Sequence, residues 1–438
     1  MKVYELEQKI GIECYFTTTS GTGGSLKQII EDFEVNEVTN REEGKSGKYL
    51  ILELKKHNWD THHVIREISR RLRISQKRIT FAGTKDKRAI TTQKISISDL
   101  DASEIENINL KDIKLKVLGR SNRSVDLGDL IGNEFKITIR NIDLKEDELN
   151  TVLESITDEI SESGGVPNYF GIQRFGSIRP ITHLVGRELV KGDTESAALT
   201  YISKPFPNEP EDTVNARQFV ADTMDFAQGL KTFPDHLRYE RTMMHHLVTH
   251  PGDYEGAFLI LPKNLRRMFI HAYQSYIYNK ILSERIKQDL PFNRATVGDI
   301  VCFKNSDGFP DTSKTQKVTE KTIHGINNLL KRNRAFVTAP LIGSNTEFAS
   351  ETPGEIEQEI FKHTGTSQSN FANIPVEGLS SKGMRREILL QTIPKYEVDE
   401  DELNNGKLKV ILNFKLPKGS YATTVLREYM KVNPLQMS

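Results

Sequence analysis

The sequence predicts an α+β protein in which a β-rich region is interrupted by a largely helical segment. Segments with the apolar or alternating pattern of strands cluster in the first 140 residues. Long helical patterns, separated by Pro-rich and Ser/Thr-rich connections, occupy roughly residues 176–381. Alternation returns at residues 407–419, and a helical pattern follows Ala422. Strands on both sides of a helical block indicate one discontinuous domain with an insertion, and 438 residues are enough for two or three domains.

Three early segments have the pattern of strands. Residues 49–56 and 93–98 are apolar or alternate, and residues 134–140 (EFKITIR) alternate strictly. In that last segment Phe135 shares one face with Ile137 and Ile139. Because side chains two residues apart lie on the same side of a strand, this periodicity alone places Phe135 in the core.

Helices are predicted at residues 61–74, 145–163 and 264–286. In the first, Val64, Ile65, Ile68 and Leu72 form an apolar stripe, and Thr61 is the expected N-cap. Its basic residues recur at helical spacing, which predicts one cationic ridge; they are Arg66, Arg70, Arg73 and Lys77. The third helix places five apolar or aromatic residues on one face: Phe269, Tyr273, Tyr276, Ile277 and Ile281.

Charge is distributed unevenly along a chain whose formal net charge is zero. Residues 55–94 contain twelve Lys or Arg against three Asp or Glu, a local net charge of +9. A basic patch on a neutral protein is typical of a localised polyanion site. A solvated helix face with ordinary surface lysines would produce the same count, so charge alone leaves both interpretations open.

Several functional classes are disfavoured. The chain lacks a GxxxxGK[ST] phosphate loop, and the glycine-rich GTGGSLK at residues 21–27 is better explained as a turn. His246 and His250 are spaced to bind a metal but have no third ligand in sequence, so no metal is predicted. The start resembles no signal peptide, no apolar run approaches 18 residues, and Cys14 and Cys302 stand alone. These features predict a cytoplasmic protein without membrane spans.

The most informative stretch is FAGTKDKRAITTQ at residues 81–93. Asp86 lies between Lys85 and Lys87, with Arg88 next and Gly83 shortly before. Cationic neighbours favour the charged form of a carboxylate and attract a phosphate backbone. This combination suits an enzyme that acts on RNA with a bare carboxylate. Taken in isolation, the string is more often a charged turn between two strands.

Several separate segments together resemble the TruD family of pseudouridine synthases, in the family's own order. They are SLKQIIEDFEVNEV (25–38), FAGTKDKRAITTQ (81–93), GNEFKITIR (132–140), PNYFGIQRFG (167–176), AYQSYIYN (272–279) and LPKGSYATTVLRE (416–428). The resemblance therefore spans residues 25–428. The length of the middle block looks like that of archaeal or eukaryotic members.

The resemblance implies the pseudouridine-synthase fold, a mixed and mostly antiparallel sheet flanked by helices, with an inserted α/β family-specific domain. It implies a catalytic domain formed by residues 1–166 and 382–438 and an inserted domain of residues 167–381. Carried over residue by residue, the catalytic aspartate is Asp86 and its partner lysine is Lys27. Asn133 and Phe135 fall on the substrate-binding positions, with Phe135 expected to stack on the target uracil.

The function implied is isomerisation of uridine to pseudouridine in tRNA, at position 13, with base flipping and without metal, nucleotide or other cofactor. Expected RNA contacts are Lys85, Lys87 and Arg88 in the Asp86 segment, Arg66, Arg70 and Arg73 in the ridge, and Arg174 in PNYFGIQRFG. Two alternatives remain at this point. One is a non-catalytic RNA-binding protein of the same fold, and the other is a nucleotide-dependent RNA-modifying enzyme, which the missing phosphate loop disfavours.

Overall fold

The computed structural model describes residues 2–106, 108–306 and 308–437. In chain order the strands are β1 (Ser25–Leu26), β2 (Phe33–Val38), β3 (Tyr49–His57), β4 (Ile79–Phe81), β5 (Ile90–Ser98), β6 (Ile113–Ser121), β7 (Gly132–Ile142), β8 (Val166–Pro167), β9 (Ile300–Lys304), β10 (Pro310–Lys317), β11 (Ala335–Leu341), β12 (Met384–Glu387), β13 (Leu389–Leu390), β14 (Lys395–Glu400) and β15 (Leu408–Pro417).

The α-helices, again in chain order, are α1 (Glu5–Lys9), α2 (Thr61–Leu72), α3 (Ala102–Glu106), α4 (Glu146–Glu162), α5 (Thr182–Lys191), α6 (Thr194–Ser203), α7 (Glu211–Thr223), α8 (Phe226–Thr232), α9 (Arg238–Thr249), α10 (Tyr254–Leu259), α11 (Lys263–Lys287), α12 (Ile323–Lys331), α13 (Glu351–Lys362), α14 (Gln368–Ala372) and α15 (Ala422–Met430).

These elements form two compact units. The sheet unit comprises Thr17–Glu162, Leu390–Val432 and Gln436–Ser438. The helical unit comprises Met1–Phe16, Ser163–Leu389 and Asn433–Leu435. Each unit is a compact part of the fold. The functional division into a catalytic domain and an inserted domain stays a prediction.

The sheet unit is built on one large mixed sheet with the strand order β14-β15-β7-β2-β5-β3-β6. β1 pairs with β7, and β4 pairs with β5. The β2–β5 pair is parallel, and the other pairs of this sheet are antiparallel. Helices flank it, so the predicted class, a mixed and mostly antiparallel sheet flanked by helices, is confirmed. The strands predicted at 49–56, 93–98 and 134–140 are β3, β5 and β7.

Alternation along β3 and β5 defines the face of the sheet that carries the candidate site, called here the inner face. Leu50, Leu52 and Leu54 point to this face from β3 and lie opposite Ile97, Ile95 and Gln93 of β5, respectively. They pack against Val64, Ile65 and Ile68 of α2. The predicted apolar stripe therefore anchors α2 on the sheet, as expected for an amphipathic helix.

The ends of α2 differ from the prediction. Asp60, and not Thr61, is the N-cap: its carboxylate accepts a hydrogen bond from the backbone N–H of His63 at 2.9 Å. The helix ends at Leu72, and Arg73 adopts a left-handed conformation with φ of 55°. A helical ridge through Arg73 and Lys77 is therefore wrong, because only Arg66 and Arg70 lie on regular helix.

The helical unit is centred on α11, the helix predicted at residues 264–286. Phe269, Tyr273, Ile277 and Ile281 of its predicted face are buried. Tyr276 is partly exposed and stacks on His183, with ring centroids 5.1 Å apart. The same unit contains an antiparallel sheet of order β10-β9-β11-β12. Within the described residues, no helix combines the length and apolar character needed to cross a membrane.

Candidate active site

One row of cross-strand neighbours runs across the inner face of the sheet. Phe414 of β15 lies opposite Phe135 of β7, which lies opposite Val35 of β2. Val35 in turn neighbours Thr91 of β5, and Thr91 lies opposite Lys56 of β3. All five side chains are buried. An aromatic end and a cationic end are thus joined in one row by register alone.

The segment that carries Asp86 connects β4 to β5 and has no regular backbone pairing of its own at residues 83–86. Side chains from three elements satisfy its backbone instead. Lys56 Nζ donates to the carbonyl of Asp86 at 2.6 Å, and Thr61 Oγ1 accepts from the N–H of Lys85 at 3.0 Å. Gln93 Nε2 donates to the carbonyl of Gly83 at 2.9 Å. The loop is therefore held in one conformation by polar groups of β3, α2 and β5.

Lys85 is turned inward from this loop. Its ammonium lies 2.9 Å from Glu37 Oε2, and the two side chains are only 7% and 1% exposed. A paired, buried cation cannot also reach a phosphate. We therefore assign Lys85 to anchoring the loop on β2, in place of the RNA contact that the sequence predicted.

Lys27 reaches the site through a tight backbone path at the end of β1. Gly24 has φ of +87°, and a side chain there would come within 2.7 Å of the Arg140 carbonyl oxygen, so only glycine fits. Two residues of pairing with β7 follow, and Lys27 itself adopts φ of 56°. A left-handed lysine is energetically unfavourable by about 1–2 kcal/mol. Such strain persists only where the surroundings determine the conformation.

The ammonium of Lys27 lies close to both an aromatic ring and the carboxylate of Asp86. It lies 4.4 Å from the ring centroid of Phe33, a cation–π contact. It also lies 3.8 Å from Oδ2 of Asp86. The lysine side chain is 13% exposed and the aspartate side chain 56% exposed. The carboxylate is thus open to an incoming substrate while a largely buried cation lies beside it.

Phe135 is buried, as its alternation with Ile137 predicts, and it also belongs to the aromatic part of the site. Its ring stacks on Phe414, with centroids 5.3 Å apart and an interplanar angle of 21°. Its second aromatic neighbour is Phe33, edge-on at 6.3 Å. Through Phe33 the aromatic group adjoins Lys27, and through Lys27 it adjoins Asp86.

Three buried polar atoms near this group have no hydrogen-bond partner within the described part of the chain. They are Oγ1 of Thr91, Oε1 of Gln93 and Oδ1 of Asn133. Asn133 lies opposite Glu37 across the β2–β7 pair, and Thr91 belongs to the row described above. A buried acceptor without a partner is costly, so such atoms often mark the place of a ligand or of ordered water. The Gln93 amide nitrogen is already bonded to Gly83, which leaves its oxygen as the group to be satisfied.

The other predicted RNA contacts of the sheet unit are exposed. Lys87 and Arg88 extend from the same loop as Asp86, and Arg66 and Arg70 line the outer side of α2. The exposed Arg70 is paired with the mostly buried Glu67, with 2.5 Å between the guanidinium and the carboxylate. Arg73 is exposed at the left-handed end of the helix. All five have side chains that an RNA backbone could reach.

Arg174, the remaining predicted RNA contact, belongs to the helical unit. Its guanidinium lies over the ring of Phe170 at 5.8 Å, and Arg386 lies over the same ring at 4.4 Å. Tyr169, Phe170 and Phe175 are buried, so the aromatic residues of PNYFGIQRFG form core. The exposed residue of this segment is Gln173.

Sequence reasoning missed Lys56, Glu37 and Gln93. The signal for Lys56 was available, because it continues the alternation of Leu52 and Leu54 and so falls on the inner face. Gln93 likewise alternates with Ile95 and Ile97. A polar residue on the buried face of a strand is informative, since its burial requires partners.

As a whole, the arrangement offers an accessible carboxylate beside a fixed ammonium, a buried aromatic group and unsatisfied acceptors. Among the described residues, no group of three His, Cys, Asp or Glu side chains is arranged to hold a metal ion.

Comparison with known proteins identifies the family. Residues 9–429 match the family described as tRNA pseudouridine synthase D (TruD). The chain is 63% identical over 438 residues to the "Probable tRNA pseudouridine synthase D" of Methanosarcina mazei, with both chains covered completely. The protein of that name from Pyrococcus furiosus is 40% identical over 420 residues, covering 95% of this chain and 98% of that one.

A solved structure agrees with these relatives. The crystal structure of the "tRNA pseudouridine synthase D (TruD)" from Methanosarcina mazei superposes with a TM-score of 0.92 at 63% identity, and both chains are fully covered. Fold, length and sequence therefore agree along the whole chain. This chain belongs to the TruD family of tRNA pseudouridine synthases and is an isomerase of that class.

Proposed function

We propose that this protein converts uridine to pseudouridine at position 13 of tRNA, with Asp86 as the essential catalytic group. The single observation that supports this most strongly is the geometry of Asp86. Its carboxylate is more than half exposed, on a loop held by Lys56, Thr61 and Gln93, with the Lys27 ammonium 3.8 Å away. A carboxylate that is both accessible and held in place is pre-organised to react.

The chemistry needs no external reactant. The bond between uracil N1 and C1′ of the ribose breaks, the base turns, and a bond forms between C5 and C1′. The proton on C5 is lost and N1 gains one, so the step is redox-neutral. Asp86 acts on the nucleoside at the sugar, either as a nucleophile or by removing a ribose proton. The Nζ atom of Lys27 lies 3.8 Å from that carboxylate.

The target base has to leave the folded RNA, at a cost of a few kcal/mol. We propose that stacking on the Phe135 group offsets about 1–3 kcal/mol of that cost. One side of the Phe135 ring already carries Phe414, so the uracil would meet the other side or the rim. Oδ1 of Asn133 is an unsatisfied acceptor on the same strand and the same face, suited to accept from the N3–H of uracil.

Binding of the RNA backbone is assigned to five exposed cations of the sheet unit and to the partly buried Arg174 of the helical unit. The five are Lys87, Arg88, Arg66, Arg70 and Arg73. Residues 1–166 with 382–438 are proposed as the catalytic domain and residues 167–381 as the insertion. A cytoplasmic location fits a substrate that is tRNA.

The test of the site specificity is direct. Purified protein is incubated with tRNA transcripts that differ only at nucleotide 13, carrying uridine or cytidine there. Pseudouridine is then mapped at nucleotide resolution through its carbodiimide adduct. Modification at position 13 of the uridine transcript alone is expected. Modification elsewhere in both transcripts would overturn the position while leaving the activity.

A further inference from the structure

Lys56 is a fully buried lysine on the inner face of β3. Its side chain is 0% exposed, and its register partners are Thr91 on β5 and Ile113 on β6. Burial of an ammonium is costly unless hydrogen bonds compensate it. Lys55, the next residue back, points to the opposite face and is half exposed near Glu34. Two adjacent lysines of one strand thus differ in exposure, and the burial of Lys56 requires hydrogen bonds that compensate it.

Within the described residues, the hydrogen bonds of Lys56 go to the Asp86 loop. Its ammonium donates to the carbonyl oxygen of Asp86 at 2.6 Å and to that of Lys85 at 3.3 Å. Hydrogen bonds from a charged donor are short and roughly twice as strong as neutral ones. The Lys85 carbonyl belongs to the peptide that precedes the Asp86 Cα, and the Asp86 carbonyl belongs to the peptide that follows it, so one cation orients both peptide planes. The direction in which the Asp86 side chain leaves the backbone is thereby fixed as well.

We infer that Lys56 is a positioning residue for the isomerisation: its charged ammonium holds the backbone at Asp86 and so aims the carboxylate at the nucleoside. The inference rests on the proposed role of Asp86. Lys56 itself meets neither the base nor the sugar, and it acts through the carbonyls of the loop. Lys27 and Lys56 thus act on different parts of Asp86: Lys27 lies beside its carboxylate, and Lys56 donates to its backbone carbonyl.

The charge state of Lys56 is sensitive to mildly alkaline pH. Burial lowers the pKa of its ammonium to about 8, against the opposing attraction of Asp86 and Asp60 and together with repulsion from Lys85. Thr91 and Ile113, its neighbours on the adjoining strands, do not titrate. Loss of this proton would weaken the hydrogen bonds from Lys56 Nζ to the carbonyls of Lys85 and Asp86. Catalysis is therefore expected to decline as pH rises through about 8.

The effect of the same group on folding has the opposite sign. A lysine whose pKa is lower in the folded state binds fewer protons there than in the unfolded chain between pH 8 and its ordinary value. Its contribution to the free energy of unfolding therefore increases with pH across that window. A fall in activity above pH 8 that arose from Lys56 would consequently occur without a parallel loss of stability from this residue.

The experiment compares Lys56→Met, Lys56→Arg and, as matched control, Lys55→Met. Single-turnover rates with saturating tRNA are measured between about pH 6.5 and pH 9.5, together with tRNA affinity and thermal unfolding. Lys56→Met is expected to lose about 10- to 100-fold in rate at neutral pH, to bind tRNA like wild type, and to lack the part of the alkaline decline near pH 8 that Lys56 causes. Lys56→Arg keeps its charge throughout, so it should restore part of the rate and also lack the decline near pH 8. Lys55→Met should follow the wild-type profile.

The substrate's own N3–H titrates in every sample, so the difference between profiles reports Lys56. The inference would be overturned if the wild-type rate did not decline near pH 8, a result that requires no variant. It would also be overturned by a folded Lys56→Met enzyme with the wild-type rate and pH profile. Asp86→Asn is measured in parallel to separate two failures. An active Asp86→Asn enzyme would refute the proposed function, whereas an inactive one beside a fully active Lys56→Met enzyme would refute the role of Lys56 alone.

Discussion

Replacing Phe135 by leucine tests the aromatic part of the site. The change removes the stack on Phe414 at 5.3 Å and the edge contact with Phe33 at 6.3 Å. Aromatic pairs contribute about 0.5–1.5 kcal/mol each beyond their buried area, so the free energy of unfolding should fall by about 1–3 kcal/mol. If the ring also stacks on the flipped uracil, a further 1–3 kcal/mol is lost in the transition state, which slows single turnover by about 5- to 150-fold.

Phe414→Leu is the matched control for this variant, because it removes the same ring stack from the other side. It should lower the unfolding free energy by about 0.5–1.5 kcal/mol and leave single turnover within a few fold of wild type. Phe135→Tyr keeps the aromatic face and should retain most activity. Unfolding is followed in urea, and chemistry by single-turnover kinetics with saturating tRNA. Equal kinetics for Phe135→Leu and Phe414→Leu would show that Phe135 serves the core alone.

Three further changes test the other groups. Lys27→Met should lower turnover. It should change the free energy of unfolding, measured in urea, by no more than about 1 kcal/mol, because the Asp86 carboxylate is largely solvated. Full activity of this variant would show that Lys27 and Asp86 are not coupled. Lys85→Met leaves the buried carboxylate of Glu37 without its cation and should lower the free energy of unfolding by about 3–5 kcal/mol in the same urea measurement. Lys87→Met, at an exposed position, should lower it by less than about 0.5 kcal/mol. Equal losses for the two variants would contradict the anchoring role of Lys85. Arg66→Gln combined with Arg70→Gln should weaken tRNA binding and lower its salt dependence by about one unit per lost phosphate contact; an unchanged salt slope would place the RNA elsewhere.

Period-two alternation or a short apolar run was enough to predict the main strands of the sheet unit. On the buried face of β7 and β15, apolar residues recur at every second position, whereas β3 is an apolar run that is buried on both faces at residues 50–52 and β5 carries Ile95 and Ile97 on its buried face. The long helix α11 was predictable for the corresponding reason at helical spacing. Segments whose conformation depends on non-local partners were not predictable in this way. The Asp86 loop is the clearest case, since its backbone is satisfied by Lys56, Thr61 and Gln93 from elsewhere in the sequence.

The predicted cationic ridge shows how a correct local pattern leads to a wrong surface. Spacing of four and three residues assumes a continuous helix, but α2 ends one residue before Arg73. Spacing also says nothing about side-chain partners. Lys85 was predicted as an RNA contact from its basic neighbours, yet Glu37, 48 residues earlier, binds it in the interior. Cross-strand register brings such residues together, and a single sequence does not reveal it.

The most direct test of the catalytic assignment is turnover by Asp86→Asn. The substitution nearly preserves shape, removes the anion and leaves the backbone hydrogen bond from Lys56 in place. Release of tritium from tRNA that carries 5-tritiated uridine reports loss of the C5 proton, which accompanies every isomerisation. No release above background is expected, with tRNA affinity within a few fold of wild type. Release by Asp86→Asn at a rate near that of wild type would contradict the assignment of Asp86 as the essential group.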